Sequence, residues 1–274
     1  MIIVKLKGGL GNQMFQYATG LAVAIHNNDK LALDVSHYEN QSPKDTPRTF
    51  ELPTFNISTF SFKNITPSKT TLFINKIKDK LFPNNPYSFD PKVFSSNNLE
   101  GAFQNETYFI DIREQILKEF TLKNESEKFI ETRKYIKSIP SVSIHIRRGD
   151  YISNSHAHTY HGVQTSEYYK KAYDHIVNTL GLNFTLFIFT DDIEWTRENI
   201  TFHTNTYIIS EHNFSSAEEL LLMSYCSHNI IANSSFSWWG AWLNQNPEKI
   251  IIAPQQWTAK NIQSDIIPKS WKKI

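Results

Sequence analysis

Residues 143 to 150 read Ser143-Ile144-His145-Ile146-Arg147-Arg148-Gly149-Asp150. With Val142 in front, Val142, Ile144 and Ile146 alternate with Ser143, His145 and Arg147, the period-two pattern of a β-strand. The alternation predicts His145 and Arg147 on one face at the carboxyl end of the strand, with Arg148-Gly149-Asp150 turning away from it. In an open α/β sheet, ligands bind in the crevice beyond the carboxyl ends of the strands. Two adjacent guanidiniums beside an imidazole and a carboxylate suit an anion there. The plainer alternative is a surface salt bridge between Asp150 and an arginine, which carries little energy.

Outward from this strand the pattern repeats. Strands are predicted at 142–146, 184–190, 206–209, 228–232 and 249–253, and helices at 166–179, 193–199, 215–227 and 234–244. Ser215-Ser216-Ala217-Glu218 has the spacing of a capping box for the third of these helices. Strand–helix alternation predicts a parallel sheet covered by helices on both faces. Toward the amino terminus, Ile2 to Leu6 is a short buried strand. It runs into Lys7-Gly8-Gly9-Leu10-Gly11-Asn12-Gln13 and then a helix with Met14, Phe15, Ala18, Leu21, Ala22 and Ile25 at helical spacing. A second short strand, 31–34, ends in Asp34. The chain therefore has two βα starts, and two facing Rossmann-like domains are expected, 1–135 and 136–274. The charged helical stretch 122–137 is their expected connection.

Residues 36 to 110 are interrupted by prolines and held by phenylalanines, and read as loops and short helices that shape a substrate cleft. Gly101 to Asn105 reads as a strand end entering a helix, continued by a helix over 112–120. There is no internal repeat.

Composition narrows the classes. In 274 residues, Lys plus Arg is 28 against Asp plus Glu 27, a net charge of +1 that excludes a chain built mainly to hold nucleic acid. Apolar residues make up 40% and aromatics 14%, enough for packed cores. The single cysteine, Cys226, permits no internal disulfide and reads as a buried structural thiol. No apolar run reaches the roughly 18 residues of a membrane span, and no signal peptide is read at the start. A cytoplasmic protein is expected, with a peripheral place at the inner face of the cell membrane as the extension.

The chemistry collects at three strand ends: His145-Ile-Arg-Arg-Gly-Asp150, Phe189-Thr-Asp-Asp192, and Asn233-Ser-Ser-Phe-Ser237 at a helix start. In a parallel sheet all three share one edge, and together they suit a nucleoside diphosphate. Arg147 can make bidentate, charge-assisted bonds to a phosphate. Ser234 and Ser235, at a helix amino end, offer a second anion seat. Asp191 or Asp192 can accept from a nucleobase edge or ribose hydroxyls, while one of them N-caps the helix from Ile193. The glycine turn lacks both the dinucleotide and the P-loop spacing; Gly9 and Gly11 permit close approach, and Asn12-Gln13 are placed to hydrogen-bond a sugar or phosphate. His156, His158 and His161 are read as part of a loop that closes over substrate rather than a zinc site. Trp238 and Trp242 share a helical face and read as core, with sugar stacking as the alternative.

At these residues the chain resembles the bacterial galactoside α-1,2-fucosyltransferases. The matching motifs are Gly8-Gly-Leu-Gly-Asn-Gln-Met-Phe-Gln-Tyr17, His145-Ile-Arg-Arg-Gly-Asp-Tyr151, Phe189-Thr-Asp-Asp192 and Asn233-Ser-Ser-Phe-Ser-Trp-Trp-Gly-Ala-Trp242. The resemblance implies a GT-B-like fold and an inverting enzyme that needs no metal and no cofactor beyond its donor, GDP-β-L-fucose, held mainly by the second domain. The implied acceptor is a galactose-terminated oligosaccharide or lipid-linked glycan. The first arginine of the motif, Arg147, would contact the β-phosphate. His145 and Asp191 or Asp192 would lie at the guanine and Ser234 and Ser235 at the phosphates, with Asn233 and Phe236 also expected among the donor-binding residues. Arg147 and Asp150 are the expected catalytic pair, with Arg148 beside them; Asp150 and Asp34 are both candidates for the base, and a weakly assisted mechanism without a strong base is the third alternative.

Overall fold

Two parallel sheets organise the chain in this computed structural model, which describes residues 1–41, 46–58, 61–63 (backbone only), 85–149, 152, 159, 162–259, 262 and 264–274. By contacts the chain divides into Met1–Phe120 with Gln263–Ile266, and Thr121–Ile262 with Ile267–Ile274.

In the first unit, β1 (Ile2–Lys5) leads through the glycine turn into α1 (Leu10–His26), then β2 (Leu31–Asp34), β3 (Ser61–Lys63) and β4 (Asn98–Leu99). The strand order is β3-β2-β1-β4, all parallel. Gly8 sits at φ +84, a backbone region open to glycine at little cost, and this lets the chain turn off β1 into α1. Among its described residues, the 36–110 region, expected to be loops and short helices, has the short helical turns Ser36–Tyr38, Leu52–Thr54 and Pro91–Ser95 and also supplies the strands β3 and β4. The stretch after Gly101 is two 3-10 turns, Glu106–Tyr108 and Ile110–Ile112, before the short α2 (Arg113–Glu119).

The second unit opens with α3 (Glu127–Ser138), N-capped by Ser126. The helix spans the expected boundary at residue 135, and by contacts it groups with the second unit. Its two buried apolar residues, Phe129 and Ile136, lie seven apart on one face, and Phe129 meets Tyr225 edge-on at 6.2 Å. Two large residues are enough to seat a helix whose other positions are charged.

Then follow β5 (Ser141–Ile146), α4 (Ser166–Leu180), β6 (Thr185–Thr190), α5 (Ile193–Asn199), β7 (Asn205–Ile208), α6 (Ser216–Tyr225), β8 (His228–Ile230), α7 (Ser235–Trp242), β9 (Ile251–Ala253) and β10 (Lys272–Lys273). The sheet order is β10-β9-β8-β5-β6-β7, parallel throughout. Numbered from β5, this is the doubly wound order 6-5-4-1-2-3, whose switch point lies between β5 and β8.

Both faces of β5 are covered. Val142, Ile144 and Ile146 pack with Tyr169, Ala172, Tyr173 and Ile176 of α4 and with Leu186 and Ile188 of β6. On the other face the Ser143 hydroxyl accepts from Asn229 Nδ2 at 2.7 Å, and Asn229 Oδ1 accepts from Asn244 Nδ2 at 2.8 Å. The Ser215–Glu218 capping box forms as predicted. Trp238 and Trp239 are fully buried, and Trp242 nearly so. Trp238 and Trp242 stack at 6.0 Å, so these indoles build core. Cys226 is buried, and burial pushes its thiol well up from the ordinary range. The class is α/β with two parallel-sheet, Rossmann-like units, the GT-B-like class that the resemblance implies.

Candidate active site

The carboxyl end of β5 meets that of β6 in register. Ile146 pairs with Thr190, so the next residues on each strand, Arg147 and Asp191, stand side by side. Arg147 Nη1 lies 2.9 Å from Asp191 Oδ2. The other oxygen of Asp191 accepts the Arg148 backbone N–H at 2.8 Å, so one carboxylate holds both arginines of the motif. Asp192 is divided in the same way. Its Oδ1 caps α5 by accepting from Trp195 N at 3.1 Å, and its Oδ2 takes Arg148 Nε at 3.3 Å. The Arg148 guanidinium also lies over the Trp195 ring, 3.7 Å from its centre. Stacking plus an ion pair fixes Arg148 against α5, whereas Arg147 stands at the strand end beside the Asp191 carboxylate.

His145 is 4 % exposed, and its ring lies 5.6 Å from that of Phe236 on α7. Burial, and then the Arg147 charge, pull its pKa down from the usual 6.5 to about 3, so the ring is neutral. Its Nδ1 has no hydrogen-bond partner among the described residues, an uncommon state for a buried polar atom and one that fits a ligand-facing group.

Across the switch point, Ile144 pairs with Ile230; the same register carried on puts Arg147 level with Asn233. Asn233 is buried, its amide donating to Gly162 O at 3.4 Å and Trp257 O at 3.3 Å. Ser234 is the N-cap of α7, its hydroxyl accepting from Phe236 N at 3.4 Å. Ser235 and Phe236 open the helix and are half-buried. Ser234 therefore shapes the helix start, and Ser235 is the serine with surface to offer a ligand. The described residues of the three expected strand-end clusters do share one sheet edge.

The glycine-turn residues, in the first unit, are used differently. Gly9 is the N-cap of α1 and Gly11 is buried in its first turn. Asn12 Oδ1 accepts from Gln104 Nε2 at 2.8 Å. Gln13 is fully buried; its Nε2 donates to Gly8 O at 3.0 Å and Thr49 O at 2.7 Å, and its Oε1 accepts from Glu51 N at 2.9 Å. That amide ties the 48–51 segment to the turn and exposes no surface to a ligand. Asp34 is 5 % exposed and its Oδ1 accepts from Ser36 N at 3.0 Å. Asp150, His156, His158 and His161 lie outside the described residues.

Trp195 was not singled out from sequence, although its place three residues after Asp192, in the first turn of α5, puts it over the strand end. No group of three His, Cys, Asp or Glu that could hold a metal occurs among the described residues, and no described helix is long and apolar enough to cross a membrane.

The sequence matches the model of glycosyl transferase family 11 over residues 1–274. It is 34% identical to the O-antigen biosynthesis glycosyltransferase WbnK of Escherichia coli, over 97% of this chain and 98% of that one. It is 35% identical to an alpha-1,2-colitosyltransferase of Escherichia coli, over 100% and 99%. With the galactoside 2-alpha-L-fucosyltransferase Sec1 of Mus musculus the identity is 27%, over 89% of this chain and 64% of that one. An arginine strand end, a capped helix start across a switch point and a whole-length family match converge: the chain belongs to glycosyl transferase family 11.

Proposed function

We propose that this glycosyltransferase moves L-fucose from GDP-β-L-fucose to the 2-hydroxyl of a terminal galactose, with inversion, giving an α-1,2 linkage. The observation that carries the donor half is the pairing, at one switch point, of the Arg147 strand end with the amino end of α7. Cationic and helix-dipole groups on the two sides of one crevice suit a diphosphate. The neutral, buried His145, with an unpartnered Nδ1, supports a hydrogen bond to the nucleotide rather than a second charge. The mouse relative's name supports galactose as acceptor, and both it and the colitosyltransferase support the linkage.

In this reading the galactose 2-hydroxyl attacks C1 of fucose in a single displacement through an oxocarbenium-like transition state, and GDP leaves. Arg147 stabilises the charge developing on the β-phosphate, exchanging or sharing its Asp191 carboxylate with it. Asp191 orients Arg147, and Asp192 with Trp195 anchors Arg148. Ser235 and the first N–H groups of α7 meet the diphosphate, with Asn233 and Ser234 holding that turn in shape. Asp150 is the proposed base, with Asp34 the second candidate. No cofactor takes part, and the arginines do the charge neutralisation that a metal performs elsewhere. The acceptor is a free or lipid-linked glycan met in the cytoplasm or at the inner membrane face.

The colitosyltransferase likeness, which runs the length of both chains, favours one second reading: the same reaction with a different sugar on the donor. Incubation with lactose and a panel of nucleotide sugars, with NMR of the product, separates the two. An α-1,2-fucosyl product from GDP-fucose is expected, at a rate unaltered by EDTA. Transfer only from another donor would overturn the fucose assignment, and a loss with EDTA that Mg²⁺ or Mn²⁺ restores would overturn the metal-independent mechanism.

A further inference from the structure

The β6–β7 ladder ends at Ile188 and Ile208, so the last residue of β6, Thr190, has moved past its strand partner. Its backbone N–H donates instead to the Ser210 hydroxyl at 2.9 Å, and that hydroxyl donates to Glu219 Oε2 at 3.1 Å. Ser210 belongs to the 3-10 turn Ile209–His212, and Glu219 to the first turn of α6. Directly beyond Thr190 stand Asp191 and Asp192, which hold Arg147 and Arg148. A continuous set of bonds thus runs from Glu219 through Ser210 and the end of β6 to the guanidinium at the strand end.

We infer that Glu219 is a positioning residue of the diphosphate site, fixing the end of β6 from which Asp191 orients Arg147. This rests on the donor reading proposed above and adds a residue that makes no contact with the ligand. Other acidic and basic groups lie on the elements around it. Asp191 follows β6 and is paired with Arg147. Glu211, on the 209–212 turn with His212, is paired with Arg197. Glu218, on the same helix, accepts from Ser126 and Ser215.

Burial, and secondarily the Asp191 charge, push the Glu219 carboxyl up to about 7, against the Ser210 hydrogen bond, which lowers it. Near neutral pH Glu219 therefore passes between a neutral and a charged form. The charged form places a second negative charge beside the Asp191–Arg147 pair, where an incoming diphosphate must also sit. Binding of that anion favours the protonated carboxyl, so affinity is expected to fall as pH rises through about 7.

The test is calorimetric titration with GDP from about pH 6 to about pH 8, on wild type, Glu219→Gln, Glu219→Ala and Ser210→Ala. A glutamine oxygen can still accept from Ser210, so Glu219→Gln is expected to match wild type at the acid end and to lose the protein's contribution to the pH dependence. Titration of GDP itself is common to both. Glu219→Ala and Ser210→Ala are expected to weaken GDP about fivefold, the weight of one neutral hydrogen bond. GDP binding by Glu219→Ala equal to wild type, or a pH profile unchanged by Glu219→Gln, overturns the inference while leaving the donor reading in place. Should Glu219→Ala fail to fold, the Glu219→Gln profile decides. A wild-type protein that ignores GDP overturns the donor reading itself.

Discussion

The ends of β1 and β5 occupy the same place in their sheets, each beside the strand across a switch point, yet they are built from opposite materials. Past Lys5, whose ammonium pairs with Glu100, the side chains that hold the turn after β1 are neutral and turned inward. Gln13 binds three backbone groups, Gln16 binds Lys7 N and Gly101 O, and the Tyr38 hydroxyl donates to Gly8 O. At the end of β5 they are ions, 16 to 29 % exposed, paired as Arg147–Asp191 and Arg148–Asp192. Buried amides bonded to backbone fix a chain path and are expensive to remove. Half-exposed ion pairs add little stability and can exchange one anion for another. Damage should therefore appear as lost stability at β1 and as lost function at β5.

Arg147→Ala gives the widest expected separation. The loss of one preorganised donor at a developing negative charge lowers turnover about 10²–10³-fold. The pair it leaves behind is worth about 0–1 kcal/mol of stability, so the melting temperature should barely move. Steady-state kinetics beside a thermal melt reads both quantities. A variant that melts far below wild type would place Arg147 with the structural amides and break the comparison from the β5 side.

Gln13→Ala is the mirror case. Gly8 O, Thr49 O and Glu51 N each lose a partner inside the protein, an expected destabilisation of about 2–4 kcal/mol at about 1 kcal/mol per bond. Urea unfolding measures it. GDP affinity in the folded fraction should stay within twofold or so, on the order of 0.5 kcal/mol. A folded variant of ordinary stability that has lost GDP would show the glycine turn to be a ligand site after all.

This contrast also explains what could be read from the chain alone. Strand ends were legible because their pattern is local: Val142 to Ile146 alternates within one short stretch, and Ser215 to Glu218 closes its capping box within one turn. The use of a polar side chain is not local. Gln13 looks as fit for a sugar as for a backbone clamp until Thr49 and Glu51, far along the sequence, are known to be its partners. Asp191 likewise reads as a nucleobase acceptor until the β5–β6 register sets it against Arg147. Phe129 and Ile136 went unnoticed for the same reason, since two apolar residues among charges form no visible stripe until α6 lies against them. Strands β3, β4 and β10 are two or three residues long and carry no periodicity to detect.

His145 gives a smaller, pH-graded test of the β5 side. Its folded pKa, about 3, lies below the ordinary 6.5, so the unfolded chain takes up a proton where the folded one does not. The stability from the neutral buried ring is complete above about pH 6.5 and is lost as pH falls toward about 3. Between those limits wild type should lose up to about 1.4 kcal/mol per pH unit more than His145→Gln, the limit for one proton. Denaturant unfolding at a series of pH values measures the difference. Parallel profiles would mean that His145 titrates normally and that the strand end is wetter than its burial implies.

The smallest effect should come from Gly149→Ala. A Cβ at Gly149 would stand 2.8 Å from Asp191 Oδ2 and 3.1 Å from its Cγ. That carboxylate has little room to retreat, because Arg147 Nη1 and Arg148 N hold its two oxygens at 2.9 and 2.8 Å. The methyl group must loosen one of these bonds, a change of about 1 kcal/mol, or about a fivefold rise in the donor KM. The double-mutant cycle with Asp191→Ala isolates the cause. If the close approach to Asp191 is the whole of it, Gly149→Ala has no effect once the carboxylate is gone. If the two losses simply add, the glycine matters for the path of the chain into residue 150, and the β5 end shares more of the structural character of β1 than its ion pairs suggest.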